Sequence, residues 1–334
     1  MEADLTRRQQ LAWCFGALGV PAMLLCASAA WQWVLLAGAC AALYYIIVWR
    51  LWVRAGQKPL PVLARDAFGG VGRGILIAAA LWTLTALGDT ARRSAAAFPE
   101  SREGLLCGVV LLILCAASGT RGVRASARAA AVLAPVLAVI HAVLLLTALG
   151  QVNLRWCAPW GEASQLFTLF PALLLPSAAL CLPRTPDGGR LPWAMLAVLA
   201  LAPAAFAVVT SGCLSPQVAQ ADALPFYTLA KSLSLLSVME RLEPLVSAVL
   251  YLSFFALAAL LTQSCAALFC GGLRRSDAPR WLAPSICALA LAFGWFVCPL
   301  PGWLSGGGAA VFWGALPLLT LLVVAVKKDR KKQK

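Results

Sequence analysis

Histidine is almost absent from this chain, carboxylates are scarce, and no polar stretch is long enough to fold as a domain of its own. His141 is the only histidine, and 13 Asp and Glu are spread over 334 residues. One imidazole excludes His-based metal clusters, and no Ser/His/Asp set can be placed around it. Twelve cysteines are present, without a C-x-x-C pair or a Cys/His cluster, and most fall within apolar runs, where cysteine packs as a small apolar residue. Cys157, Cys213 and Cys298 stand near the ends of such runs, and the sequence leaves open a bridge between two of them. Gly70-x-Gly72-x-Gly74 lacks the strand-to-helix setting of a phosphate loop. The basic residues are dispersed without interleaved aromatics, which excludes a nucleic-acid platform. The chain therefore reads as a non-enzyme with no cofactor and no metal.

What the sequence has is apolar length. It is 62% hydrophobic and 12% charged. Ten apolar runs fall at 12–30, 32–49, 74–88, 104–118, 129–149, 164–182, 192–210, 243–270, 281–298 and 310–326. Most approach the ~20 residues that carry a helix across ~30 Å of hydrocarbon. The third and fourth are short and draw on flanking Gly, Ala and Thr. The expectation is an all-α polytopic membrane protein of about ten transmembrane helices, forming one integral membrane domain over 1–334. The longest polar stretches are 50–73, 89–103 and 211–241. Within the last, Leu229, Leu233, Leu236 and Met239 recur at helical spacing and predict an amphipathic helix over Leu224–Met239 along the outer interface.

Charge orients the bundle. Of 27 Lys and Arg, 21 fall in one alternate set of gaps: Arg7 and Arg8; Arg50, Arg54, Lys58, Arg65 and Arg73; Arg121, Arg124 and Arg128; Arg184 and Arg190; Arg274, Arg275 and Arg280; and the tail 327–334. The positive-inside rule makes these gaps and both termini cytoplasmic. The other set carries six bases against seven acids and is nearly neutral. The tail K-K-D-R-K-K-Q-K is an anchor, with some attraction to anionic lipid. Thr6-Arg7-Arg8, an apolar run and Ala27-Ser28-Ala29 together permit a signal-peptide reading. The length of run 1 and the prompt start of run 2 at Trp31 favour a retained helical hairpin.

Ten spans with both ends inside divide into two halves of five, about 11–150 and 164–326, with opposite orientation, as in the inverted repeats of secondary transporters. The first span of each half carries helix breakers: Gly16, Gly19 and Pro21 in run 1, Pro171 and Pro176 in run 6. Broken helices offer free backbone groups to a ligand, although Gly and Pro also occur in membrane helices that are merely kinked.

Residues 222–270 contain Pro225, Phe226, Tyr227, then Glu240, Arg241, Leu242 and Glu243 leading into a long eighth span. This pattern resembles the B-subunit family of spore germinant receptors (GerAB type). Leu5-Thr6-Arg7-Arg8-Gln9-Gln10, the glycine-rich Gly69–Gly74 and Gly119–Arg128 followed by Pro135 agree with that family in the same order along the chain. Span 6 departs from it: the family has a Gly- and Glu-containing break where this chain has Pro171 and Pro176. The resemblance implies the amino acid–polyamine–organocation superfamily and its LeuT-like fold with helices 1 and 6 interrupted. It further implies a nutrient sensor of the spore inner membrane, commonly for an amino acid, acting with receptor A and C subunits.

The candidate ligand-binding residues are Gly16, Gly19 and Pro21 of span 1, Thr83 and Thr85 of span 3, Phe170, Pro171 and Leu173 of span 6, and Ser253 of span 8. Asp89 is read either as a carboxylate offered to the cavity or as a loop acid. Glu240, Arg241 and Glu243 either gate the outer vestibule and contact a partner or cap the helix start, where negative charge suits the dipole. His141 is read as a proton relay or, more commonly for a lone membrane histidine, as hydrogen-bonded structure. Two other functions share the fold: an ion-coupled amino-acid transporter and a scaffold subunit that binds no ligand.

The charge pattern is testable by reporter fusion. Alkaline phosphatase fused after Asp222 is expected to be active and green fluorescent protein fused after Lys334 to fluoresce; the reverse pattern would invert the orientation.

Overall fold

The computed structural model describes residues 5–98, 104–157, 161–184, 192–222, 224–233, 243–275, 278–296 and 306–332. Helices occupy all ten apolar runs. They are α1 (Arg7–Pro21, continued by a π-helical segment Ala22–Cys26), α2 (Trp31–Arg54), α3 (Leu60–Arg93), α4 (Gly104–Thr120), α5 (Val123–Leu149) and α6 (Ser164–Leu173, followed by a 3₁₀ segment Leu175–Cys181). They continue as α7 (Trp193–Leu214), the short α8 (Pro216–Ala221) and α9 (Pro225–Ser232), α10 (Glu243–Gly272), α11 (Leu282–Phe296), α12 (Gly307–Ala309, passing into a π-helical segment Ala310–Ala315) and α13 (Leu316–Lys332). Eight helical segments are long and apolar enough to cross a membrane, and two shorter apolar helices, Gly104–Thr120 and Leu282–Trp295, stand among them. Among the described residues the only β pairing is an isolated bridge between Leu5 and Arg184. The protein is a polytopic helical membrane protein.

Local chemistry sets the ends. The Thr6 hydroxyl accepts from Gln9 N–H at 3.3 Å while Gln9 Oε1 accepts from Thr6 N–H at 3.1 Å, a reciprocal cap on α1. Pro59 and Pro61 flank the start of α3, where missing amide protons cost nothing. The polar stretch expected at 50–73 is thus mostly helix. α3 runs 34 residues, kinked at Gly69 (φ 57°). At its far end α3 reaches Arg93 and tightens into a 3₁₀ turn, Ser94–Ala97, so the loop expected at 89–103 is also shorter.

The amphipathic helix expected over Leu224–Met239 is observed only as α9. Residues 234–242 lie outside the described set. Phe226, Tyr227, Leu229 and Ala230 are buried, and the helix packs on α7, α10 and the π segment after α1.

The gaps of the basic set meet at one end. Leu5 N–H bonds to Pro183 O, Lys327 Nζ reaches Ala67 O at 2.6 Å, and Lys328 Nζ reaches Arg54 O at 2.8 Å. The other set meets at the opposite end, where Trp31 Nε1 donates to Cys157 O, Trp33 Nε1 to Gly161 O and Asn153 N–H to Gly212 O. Cys157 and Cys213 are free thiols there, and burial pushes the Cys157 thiol up, away from thiolate. Cys298 lies outside the described residues.

α3 and α10 form the centre, with α1 beside α10 and α11 beside α3. Exposed Leu36, Leu43 and Ile47 on α2, Leu105, Leu106 and Ile113 on α4, and Val132, Val139 and Leu146 on α5 face outward, as lipid contact requires. Without a hydrophobic difference between lipid and side chain, helices associate by close approach at small residues. α3 and α11 cross at Gly88 and Gly294, where a Cβ added to Gly88 would lie 2.6 Å from Ala290 O and 3.0 Å from Gly294 N. α2 and α7 approach similarly at Gly38 and Ala200.

Gly88→Ala is expected to cost about 1–3 kcal/mol through overpacking, read as a lowered melting temperature in detergent. Gly74→Ala, with nothing within 4 Å of the added methyl, should match or exceed the wild type. Equal melting of Gly88→Ala and wild type would contradict the backbone contact.

Candidate ligand site

Irregular backbone inside a membrane must find partners within the protein. α6 yields to 3₁₀ geometry between Pro171 and Pro176, and its carbonyls take side-chain donors one by one, beside the backbone bonds that Ser177 N–H makes to Leu174 O and Leu182 N–H to Ala179 O. Tyr45 Oη donates to Leu174 O at 2.8 Å and lies 3.2 Å from Ser177 Oγ. Ser264 Oγ donates to Ala178 O at 2.9 Å and Gln10 Nε2 to Ala179 O at 3.2 Å. The π segment before α13 is treated alike: Tyr44 Oη lies 3.0 Å from Trp313 O and 2.9 Å from Gly314 O. The expected interruption of helices 1 and 6 takes the form of π and 3₁₀ winding. Gly16 and Gly19 keep α-helical geometry, and the departure begins at Pro21.

Gly16 and Gly19 instead bring α1 against α10. A Cβ on Gly16 would lie 2.9 Å from Ala256 Cβ, and one on Gly19 would meet Ser253 Oγ and approach His141 Cε1 to 3.7 Å. Trp13 Nε1 locks the same pair by donating to Ala256 O at 2.8 Å. Gly19, Ser253 and His141 thus converge from α1, α10 and α5. Ser253 is fully buried and His141 8% exposed, yet Ser253 Oγ meets no hydrogen-bond partner among the described residues, and the His141 ring has no polar neighbour in good geometry, only the Leu137 carbonyl of its own helix nearby. Unpaired buried polar groups cost about 1–3 kcal/mol each, so the junction of α1, α5 and α10 carries polar side chains short of partners. Thr210, one turn beyond Phe206 on α7, is fully buried and unpartnered as well.

Aromatic rings close this junction on the side of α9. Phe206 stands edge-on to His141 at 5.2 Å, and Phe226 of α9 edge-on to Phe206 at 4.7 Å.

The other candidates are placed apart. Thr83 is buried and donates to Ala79 O at 2.7 Å; it borders a small cavity with Ser177, Ser264 and Trp313. Thr85 bonds back to Trp82 O and is only half-buried. Phe170 is half-buried, while Pro171 and Leu173 are buried in the last turn of α6. Asp89 is buried and spoken for by its own helix: Arg93 Nε at 2.6 Å and Arg92 Nη2 at 2.9 Å. Glu240 and Arg241 lie outside the described residues. Glu243 is the first residue of α10, and its side chain also lies outside them.

Two features escaped the sequence reading. At the basic end Arg184 is buried between indoles, its guanidinium carbon 4.8 Å from the Trp49 ring centre and 5.4 Å from Trp52, while Nη1 donates to Gln10 Oε1 at 2.9 Å. Polar residues within or bordering apolar runs, such as Gln10 and the Tyr44–Tyr45 pair, were the available signal, since each must find a partner there. The second is a cavity of about 1010 Å³ that opens at the basic end between α3, α4, α5, α10 and α11.

Comparison with family models finds no match for this chain, and comparison with curated proteins finds none either.

Tyr45→Phe removes the second donor to Leu174 O, which keeps only Ser177 N–H at 2.9 Å, and is expected to cost about 0.5–1.5 kcal/mol, seen as earlier thermal unfolding in detergent. An unaltered transition would mean that the hydroxyl adds nothing to the bond from Ser177.

Proposed function

We propose that this chain is a nutrient-sensing subunit of a germinant-type receptor and that a small amphiphile, an amino acid by preference, binds where α1, α5 and α10 meet. The observation that carries the site is the group of buried polar atoms short of partners on His141 and Ser253 beside Gly19. A hydroxyl and an imidazole are apt partners for a carboxylate or an ammonium group. The sensing role, the spore inner membrane and the receptor A and C subunits as partners rest on the sequence resemblance.

The packing supports an inverted repeat of five plus five. Exchange of the halves turns α3 on α11 into α10 on α4, α3 on α13 into α10 on α5, and α1 on α5 into the 3₁₀ segment of span 6 on the π segment of span 10. In this arrangement α1 and α10 touch at Gly19 and Ser253, so a guest must part them. Binding then favours a second arrangement of the bundle in proportion to its greater affinity for that state. This converts occupancy into a signal.

Ion-coupled transport is the second reading. It is favoured by the asymmetry of access: an aromatic stack at the α9 end and a large cavity at the basic end, cytoplasmic under the charge rule.

Deletion in the native host, followed by dipicolinate release from spores given an amino-acid panel, separates these readings. Loss of response to one nutrient is expected. Ser253→Ala, at wild-type abundance, should raise the nutrient concentration for half-maximal release about tenfold. An unchanged response to every nutrient would sink the sensing role, and gradient-driven uptake of labelled amino acid into proteoliposomes would then decide for transport.

A further inference from the structure

The large cavity at the basic end has a chemistry of its own. Its wall carries four arginines, Arg65 from α3, Arg121 before α5, and Arg275 and Arg280 from the turn between α10 and α11, and no Asp or Glu among the described lining residues. Arg121, Arg275 and Arg280 are exposed and Arg65 half-buried, so solvated guanidinium groups surround an open volume. None of the four forms an ion pair with a described carboxylate, whereas Arg92 and Arg93 at the opposite end both find Asp89. Like charges around one cavity repel, and a cleft with low-dielectric walls focuses their field. An anion relieves that repulsion, and guanidinium groups bind carboxylate and phosphate oxygens through paired N–H donors.

The backbone adds to the same sign. α5 starts at this wall from Gly122 (φ 87°), with no side-chain cap and no acid in its first turn, so the positive end of a 27-residue helix is left to the cavity. Gly122, where an added Cβ would meet nothing within 4 Å, keeps the wall low at the start of α5. Deep in the cavity Gln263 is buried, its Nε2 held by Ser126 Oγ at 3.3 Å.

We propose that this arginine-lined cavity is an anion site, separate from the junction at Gly19, that takes a compound bearing phosphate or carboxylate groups, free in solution or carried on a lipid headgroup. A volume of about 1010 Å³ exceeds what a single phosphate fills and suits a phosphate ester, a polycarboxylate or the phosphate headgroup of an anionic lipid entering from the membrane edge. The site holds whether or not the chain senses a nutrient.

The test uses the full chain in phosphatidylcholine nanodiscs, with pyrophosphate and citrate as soluble probes in calorimetry and phosphatidylglycerol added to a second set of discs for native mass spectrometry. The wild type should bind at least one soluble probe, more weakly as salt rises. Arg121→Gln/Arg275→Gln should lose about tenfold in affinity or more, while Arg8→Gln, on the same end outside the cavity, should not. Phosphatidylglycerol binding that vanishes in the double variant, with no binding of soluble probes, would assign the site to a lipid headgroup. Equal binding by wild type and double variant, or no binding of any of the three probes, would overturn the proposal.

Discussion

Backbone groups in hydrocarbon have no water to turn to, and this constraint organises the whole bundle. Regular helices meet it by themselves. Where Pro171, Pro176 and the π segments spoil the helical ladder, side chains of neighbouring spans supply further donors: Tyr44 and Tyr45 from α2, Ser264 from α10, Gln10 from α1. Other polar residues of the spans, such as Thr83, Thr90 and Thr262, bond back to a carbonyl of their own helix. His141 and Ser253 belong to a smaller group of buried side chains with atoms left unpartnered among the described residues, together with Trp82, Thr210 and Thr320.

The same logic separates two kinds of irregularity. The 3₁₀ stretch of span 6 looks from its sequence like a ready-made binding surface. In the structure its carbonyls are already engaged, and a ligand there would have to displace Tyr45, Ser264 or Gln10. At Gly19 the helix is regular and the vacancy lies in side-chain partners. Helix breakers mark where the chain changes winding; unsatisfied side chains mark where it has something to offer.

How much of this the sequence revealed follows from which forces leave a local trace. Apolar length and alternating charge are local, and the helices in the ten apolar runs and the gathering of alternate gaps at two ends were legible from them. The start of α3 at Leu60 was not, because Arg65 and Arg73 on a helix outside the hydrocarbon carry no hydropathy signal. Gly19 and Ser253 were legible as small and polar residues at helical positions in spans 1 and 8, and His141 by its rarity. Phe206 was not, since an aromatic in an apolar run looks the same whether it faces lipid or an imidazole, and Phe226 stood out only as part of the Pro225-Phe226-Tyr227 pattern. The arginine-lined cavity gathers residues separated by more than 200 positions. Nothing short of the folded bundle brings them together.

The crossing of α3 and α11 at Gly88 and Gly294 has a mechanical side. Interlocked side chains make ridges that must be climbed before one helix can turn against another. Two glycines leave backbone against backbone and no ridge at that point. At this point the pair is held by the approach of one backbone to the other, so its spacing is set by the absence of two side chains and by no interlocking between them.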